Sequence, residues 1–184
     1  TLPLTAYPFG MNHFAPETRT HHLFFNSNDH RLNGIRLTHS FSPWLGDYNY
    51  FTFNAIIDDG HKLKVTQPNY PTPTYNRTSA VMTPAYCKFH MNLFNTDIAL
   101  APTAHGAVIK LNWNFDDRAD FFRIYGGDGG ELDVMADCDN GILQVVSKNL
   151  PRHQRSIPGD FRLFSIFKFD SAISECFSDG KTVT

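Results

Sequence analysis

The stretch that decides the fold is AVIKLNWNF, residues Ala107–Phe115. Its odd positions carry Ala, Ile, Leu, Trp and Phe, whereas Val, Lys and two Asn occupy the even positions. Side chains of a β-strand point alternately to the two faces of the sheet, so an apolar residue at every second position indicates one buried face. These residues therefore predict a half-buried β-strand.

Several other segments carry strand patterns. The same alternation occurs in Lys88–Phe94 and in Phe161–Asp170. Shorter apolar runs that are also typical of strands lie at Tyr50–Ile57, Phe121–Tyr125, Glu131–Ala136 and Ile142–Val146. The pair Asn140-Gly141 between the last two runs is the sharpest hairpin signal, because both residues tolerate the positive φ of a tight turn.

Together these patterns predict an all-β protein, since no segment of ten residues or more shows a helical apolar stripe. We expect an antiparallel β-sandwich, supersandwich-like, with few or no helices and a single domain over residues 1–184. Residues 1–48 and Gln67–Pro84 show little alternation and are expected to be irregular loops. The first of them is rich in side chains that can bind a polar ligand.

Composition excludes several classes of protein. Hydrophobic residues make up 41% of the 184 residues and charged residues 18%, so the chain can bury a core. The net charge is -2 and no basic stripe occurs, which argues against a nucleic acid partner. No apolar run approaches the roughly 20 residues of a transmembrane helix, so no membrane span is predicted.

Metal and nucleophile chemistry find little support in the residue pattern. His21 and His22 are adjacent, so on a strand they point to opposite faces and cannot chelate one ion together. The three widely spaced cysteines contain no CxxC pair and allow at most one disulfide. The carboxylates that follow Phe115, at Asp116 and Asp117, are typical of a solvated turn. The sequence therefore predicts no protein-built metal site.

Four ordered blocks of the chain resemble the start of glycoside hydrolases of family 92. The first contains a Pro-Phe-Gly-Met segment, and the second is similar to the family's G-F-x-x-T-H and G-D-Y segments. The blocks are Tyr7–Asn12 with Ala15–Thr18, Gly34–Tyr48, Thr83–Lys88 and Asp97–Ala107. Asn49, Ala101 and His105 depart from the Gly, Thr and Arg that are usual in the family at or near these positions.

The resemblance implies a function for the whole protein. Members of the family are inverting, calcium-dependent exo-α-mannosidases in which an N-terminal β-sandwich packs on a C-terminal α/α-barrel. Their catalytic carboxylates come from the barrel, so we expect no catalytic residue in this chain and no hydrolysis by this chain alone. Calcium is expected at the domain junction of the full-length enzyme, not on this chain alone. The chain would then be a fragment of a longer two-domain glycosidase.

The resemblance also implies that the sandwich forms one wall of the mannoside pocket. Trp44 would stack on a pyranose ring, while Arg36, His39 and Asp47 would hydrogen-bond sugar hydroxyls. Two aromatic side chains would frame the same pocket, Phe24 and Phe25. Each residue also has a plain structural interpretation, as a loop anchor, a turn residue, an ion-pair partner or part of the core.

The expected partners are α-mannosides or mannose-containing glycans, and the C-terminal catalytic barrel of the same protein. A second hypothesis is a stand-alone, non-catalytic carbohydrate-binding sandwich of lectin type. A structural adhesion domain is the third. The length of the natural protein beyond Thr184 would separate the first hypothesis from the second, because only the glycosidase needs a large helical barrel.

Overall fold

The computed structural model describes residues 2–18, 25–39, 50–57, 73–114, 120–126, 130–148, 162–176, 178, 180 and 182–183. Within these residues thirteen strands form three antiparallel sheets, and no helix occurs. The predicted all-β antiparallel sandwich is confirmed. The described part of the chain contains no helix that is long and apolar enough to cross a membrane.

The largest sheet has six strands and the other two have four and three. In chain order the strands are β1 Thr5–Ala6, β2 His13–Glu17, β3 Gly34–Thr38, β4 Phe51–Ile57, β5 Val81–Thr83, β6 Tyr86–Met91, β7 Thr96–Pro102, β8 Ala107–Trp113, β9 Asp120–Gly126, β10 Glu131–Asp137, β11 Ile142–Lys148, β12 Leu163–Lys168 and β13 Thr182–Val183. The strand orders are β1-β2-β3-β4-β9-β13, β5-β6-β7-β8 and β10-β11-β12. The strand predicted at Ala107–Phe115 is confirmed as β8.

Both smaller sheets pack on one face of the six-stranded sheet and share one apolar core with it. Phe53 of β4 is central to this core, together with Phe89 of β6 and Leu143 of β11. The ring of Phe167 on β12 lies 5.7 Å from the ring of Phe51 and 5.4 Å from that of Phe122. Aromatic pairs of this kind contribute about 0.5–1.5 kcal/mol each beyond the burial of their area.

The hairpin predicted at Asn140-Gly141 joins β10 to β11. Asp137 pairs with Ile142, so four residues form the loop. Gly141 has a φ of 62°, and its N–H donates to the carbonyl oxygen of Cys138 at 3.1 Å. Asn140 donates from Nδ2 to Asp137 Oδ2 at 2.9 Å. Glycine suits this position because its backbone enters the left-handed region without steric cost.

Four strands lie where the sequence predicts irregular loops, so that prediction is wrong at β1, β2 and β3 in the first 48 residues and at β5 within Gln67–Pro84. All five residues of β3 are buried, so Arg36, between Ile35 and Leu37, does not face water. Pro16 also argues against a central strand. In the described residues, β1 pairs with β2 only at His13 and Phe14. At Pro16, β2 therefore has no neighbouring strand on the β1 side, so a proline is tolerated there.

Candidate functional site

One end of the six-stranded sheet collects several polar and aromatic residues. His13, the first residue of β2, pairs with Thr38, the last residue of β3. His39 follows directly, and Tyr50 lies just before β4, which is antiparallel to β3. His39 and Tyr50, the described residues that flank residues 40–49, therefore lie at the same end of the sheet as the start of β2.

The chain enters β2 at this end through a tight turn at Tyr7–Asn12. The N–H of Gly10 donates to the carbonyl oxygen of Tyr7 at 2.8 Å, which closes the turn. Phe9 in its centre has a φ of 57°. An L-residue adopts this left-handed conformation only when its surroundings hold it there. The turn is therefore a defined structural feature.

Hydrogen bonds fasten this turn to the four-stranded sheet. The N–H of Met11 donates to the carbonyl oxygen of Ala104 at 3.1 Å, and Asn12 Nδ2 donates to that of His105 at 2.8 Å. On the other side of the turn, the N–H of Ala6 donates to the carbonyl oxygen of Pro84 at 2.9 Å. The turn is thus held between the β5–β6 and β7–β8 turns.

Apolar side chains of this turn face solvent. Phe9 has a relative exposure of 108%, and Tyr7, Met11 and Tyr86 beside it are also exposed. We call these four residues the turn surface. A group of exposed apolar side chains is typical of a binding surface, because burial in a complex removes it from water. An aromatic ring on a fixed backbone can also present a flat face to a ligand.

A buried ion pair joins the middle of β3 to the far end of β2, on the face of the six-stranded sheet that points away from the core. Arg36 and Glu17 are only 2% and 3% exposed, and Nη1 of Arg36 lies 3.6 Å from Oε2 of Glu17. Thr52 donates its hydroxyl to the same carboxylate oxygen at 2.6 Å. The Asn33 amide nitrogen lies 3.4 Å from Oε1. The carboxylate of Glu17 is therefore bound on both of its oxygens.

Aromatic side chains complete this network. The guanidinium of Arg36 lies over the ring of Tyr50, and that of Arg123 lies 5.3 Å from the ring centroid of Tyr125. Burial, and next the Glu17 carboxylate, hold the pKa of Tyr125 well above its usual value. Tyr125 is therefore neutral at physiological pH and acts only through its ring and hydroxyl.

Gly34 permits the close approach of β3 to β4 beside this network. Its φ is 156°, and a Cβ at this position would lie 2.3 Å from the carbonyl oxygen of Phe53. No side chain fits at that distance, so glycine is required there. The approach brings Asn33 next to β4, where its carbonyl oxygen accepts from Nδ2 of Asn54 at 2.8 Å.

A second polar cluster lies on β6 and β7. His90 Nδ1 is 2.8 Å from Asp97 Oδ1, and Lys88 Nζ is 3.1 Å from Asp97 Oδ2. Burial alone would raise the pKa of Asp97, but hydrogen bonds from His90 and Lys88 hold that pKa below its ordinary value. The carboxylate of Asp97 is therefore ionised at neutral pH and is held by His90 and Lys88. Among the described residues, no hydrogen bond or ion pair connects this cluster to a nucleophilic side chain.

Comparison with known proteins identifies the family. Residues 1–183 match the glycosyl hydrolase family 92 N-terminal domain. The chain belongs to this family. None of the curated proteins matches the chain.

Solved structures of family 92 enzymes share the fold. The inverting mannosidase BT2199 of Bacteroides thetaiotaomicron is similar over 100% of this chain and 24% of its own, at 19% identity and a TM-score of 0.83. The α-mannosidase BT3965 of the same organism, solved alone and with mannoimidazole, is similar over 80% of this chain and 21% of its own. Its TM-scores are 0.63 and 0.62, at 17% and 18% identity. The chain thus spans about a quarter of the length of these enzymes.

The residues predicted to line a sugar pocket can now be placed in this family 92 domain. Arg36 is buried in the ion pair, while His39 is half-buried at the end of β3 and Phe25 is half-buried as well. Phe24, Trp44 and Asp47 lie outside the described residues. Sugar contact by all six residues stays a prediction.

Phe9 was missed as a candidate by the sequence reasoning, which used its motif only for the family resemblance. The signal was present, because Pro-Phe-Gly is typical of a tight turn that exposes its central side chain. Among the described residues, no group of three or more His, Cys, Asp or Glu side chains could hold a metal ion.

Proposed function

We propose that this chain is the non-catalytic N-terminal domain of a longer α-mannosidase that inverts configuration. It provides one wall of the mannoside pocket and packs against a C-terminal catalytic domain. The match of residues 1–183 to the N-terminal domain of family 92 carries this proposal. The likeness to an inverting mannosidase and to an α-mannosidase solved with mannoimidazole supports mannosides as the substrate class.

The pocket wall is proposed at the end of the sheet where the turn surface lies. Phe9 presents a fully exposed ring from a fixed turn, and such a ring can stack on the C–H groups of a pyranose. His39 ends β3 on the same side and can hydrogen-bond a hydroxyl. Trp44 and Asp47 belong to the segment between His39 and Tyr50, so chain connectivity supports their predicted role in the same wall.

Hydrolysis itself is proposed to depend on the catalytic domain. Inverting glycosidases place two carboxyl groups about 6.5–9.5 Å apart, one as the acid and one as the base that activates water. Glu17 is unsuited to either role, because it is buried and bound by Arg36 and Thr52. We also propose, on the family resemblance, that the catalytic domain supplies calcium ligands at the domain junction.

Activity measurements on this chain and on the longer protein test the proposal. We expect the longer protein to release mannose from an aryl α-mannoside, with β-mannose as the first product by NMR. Chelation of calcium should abolish this activity. The chain alone should release none. Hydrolysis by the chain alone, or a longer protein that is inactive on α-mannosides, would overturn the proposal.

A carbohydrate-binding module is the second candidate, and it is favoured by the exposed aromatic ring of Phe9 on a turn that hydrogen bonds hold in place. Calorimetric titration of the chain with mannose and mannobiose tests it. Binding by the chain, together with a longer protein that hydrolyses no α-mannoside, would favour the module. Hydrolysis by the longer protein favours the enzyme.

A further inference from the structure

Two edge strands face each other across a cleft in the second layer of the sandwich. Among the described residues, β8 ends the four-stranded sheet and β12 ends the three-stranded sheet. Between them lies a cleft of about 860 Å³. Its walls are these two strands, and its floor is the apolar face of the six-stranded sheet, with Phe14, Leu37 and Phe51.

The burial of side chains decreases towards this cleft from both sides. Ile98 of β7 and Leu143 of β11 point into the core and are buried. On the neighbouring strands, Ile109 of β8 and Phe167 of β12 occupy equivalent inward positions but are only half-buried. Inward-facing residues of a sandwich are normally covered by the opposite sheet and by adjacent strands. The pattern indicates that, among the described residues, no strand of the second layer covers the floor between β8 and β12.

The strands beside the cleft also carry apolar side chains on their outer face. Phe164 and Ile166 of β12 are 73% and 72% exposed. Natural edge strands usually avoid such side chains, because an apolar edge with unpaired N–H and C=O groups attracts another strand. The combination favours an edge that is paired in the complete protein.

We propose that this cleft accepts one β-strand, which pairs with β8 and β12 and joins the two smaller sheets into one continuous layer. Only extended polypeptide offers N–H and C=O groups to an edge on each side at the strand spacing. A sugar or a lipid chain has no such repeat. The strand has apolar residues at every second position, because one of its faces covers the aromatic floor.

The strand is supplied by the same protein from outside residues 1–184, and this step rests on the proposed function. The solved mannosidase with a TM-score of 0.83 is matched over only 24% of its length, so most of such a protein lies outside this domain. A strand linked in one chain reaches a high effective concentration, of about millimolar order for short linkers. It therefore outcompetes a strand from a second molecule.

Hydrogen exchange tests the proposal on this chain and on the longer protein. Amides of Ala107–Trp113 and Leu163–Lys168 should exchange at least about tenfold more slowly in the longer protein, because pairing must open before exchange. Val81–Thr83, on the other edge of the four-stranded sheet, is the control and should not change. Equal exchange of β8 and β12 in the two proteins would overturn the proposal.

Two substitutions in the longer protein separate strand insertion from general stabilisation. Ile109→Asp places a charge in the cleft and should remove the added protection of both β8 and β12. Asn112→Asp, on the exposed face of the same strand and outside the lining of the cleft, should leave it in place. Equal loss of protection in both variants would contradict strand insertion.

The source of the strand is tested by size-exclusion chromatography with light scattering. Concentration-dependent dimers of the chain alone that protect β8 and β12 as strongly as the longer protein does would replace the proposed strand with a second copy. Protection in a longer protein that lacks mannosidase activity would uphold the strand and refute the proposed function. An active enzyme in which β8 and β12 are not protected would refute the strand and uphold the proposed function.

Discussion

The guanidinium carbon of Arg36 lies 3.2 Å from the ring centroid of Tyr50, the residue that precedes β4. The same guanidinium pairs with Glu17 of β2. A desolvated cation–π contact contributes about 2 kcal/mol, so the ring is a significant partner of the charge. One side chain of β3 thus connects β2 to the start of β4. Arg36 therefore links the far end of β2, at Glu17, to Tyr50 at the end of the sheet where the turn surface lies.

Substitution of Glu17 tests the importance of this network for folding. Glu17→Gln keeps the size of the side chain but leaves the buried guanidinium without its carboxylate. Breaking a buried ion pair on one side costs about 3–5 kcal/mol, so we expect a decrease of this order in the free energy of unfolding. Urea unfolding followed by tryptophan fluorescence measures it.

The matched control is the ion pair of Asp133 with Lys148 on the surface. Its N–O distance of 2.8 Å is shorter than that of the buried pair, but Asp133 is exposed. We expect no resolvable change for Asp133→Asn, because solvent screens exposed pairs. Equal effects of the two substitutions would mean that distance matters more than burial, and the interpretation of the network would be wrong.

The strands that the sequence predicts well have one face in the core or, like β4, a nearly continuous apolar run. β8 shows this best, because Ile109 and Leu111 alternate with the more exposed Val108 and Lys110. β3 was missed because its second face is also buried, with Arg36 at a position that is normally exposed. An alternation of apolar and polar residues is interpreted as a buried and an exposed face, so it cannot reveal a polar side chain, such as Arg36, that is buried.

The candidate site was predictable only in part. Arg36 was selected from the sequence, but its partner Glu17 is set by the register of β2 against β3, which local sequence does not encode. Phe9 is exposed because hydrogen bonds from Met11 and Asn12 hold its turn on residues about a hundred positions further along the chain. Such long-range contacts have no signature in one sequence.

The pH dependence of stability tests the cluster around Asp97. The pKa of this carboxyl is depressed in the folded chain, so its stabilising effect is present above the unfolded value of about 3.9. The effect disappears as the pH falls through the lower folded pKa. Asp97→Asn should therefore be less stable than the wild type at pH 6, and the difference should vanish in stronger acid.

Urea unfolding at a series of pH values between about 2 and 7 measures this difference. The same comparison can be made in a Lys88→Met background, which lacks one of the two partners of the carboxylate. There, Asp97→Asn should lower the free energy of unfolding at pH 6 by less than in the wild type, but not by zero, since His90 still contacts the carboxylate. A difference between wild type and Asp97→Asn that is constant over the whole range would refute the role of the ionised carboxylate.

Thiol labelling tests the packing around the three cysteines. Burial raises the pKa of the Cys87 thiol to about 11, although hydrogen bonds to Thr5 and Leu100 oppose this shift. The thiolate is the reactive form, so Cys87 should react with a thiol reagent only when the chain unfolds. Cys138 and Cys176 are half-buried and should react in the folded chain.

The variant Cys87→Ser identifies the slow thiol, because it should lose only the phase that appears on unfolding. Burial and next the neighbouring Cys138 raise the pKa of Cys176, so Cys176 should react more slowly than a fully exposed thiol. Labelling of Cys87 in the folded chain at the rate of Cys138 would contradict the buried position of β6.

Phe9 offers the most direct test of the turn surface in the proposed mannosidase. Phe9→Ala removes a ring that is fully exposed, so the free energy of unfolding of the chain should not change. If the ring contacts the sugar, kcat/KM of the longer protein for an α-mannoside should fall by about tenfold or more, which corresponds to about 1.4 kcal/mol. Leu93→Ala is the matched control, because Leu93 is also exposed and lies in the β6–β7 turn, at the end of the four-stranded sheet opposite to the turns that hold the Phe9 turn. A similar loss in both variants, or an unchanged kcat/KM in Phe9→Ala, would exclude Phe9 from the pocket wall.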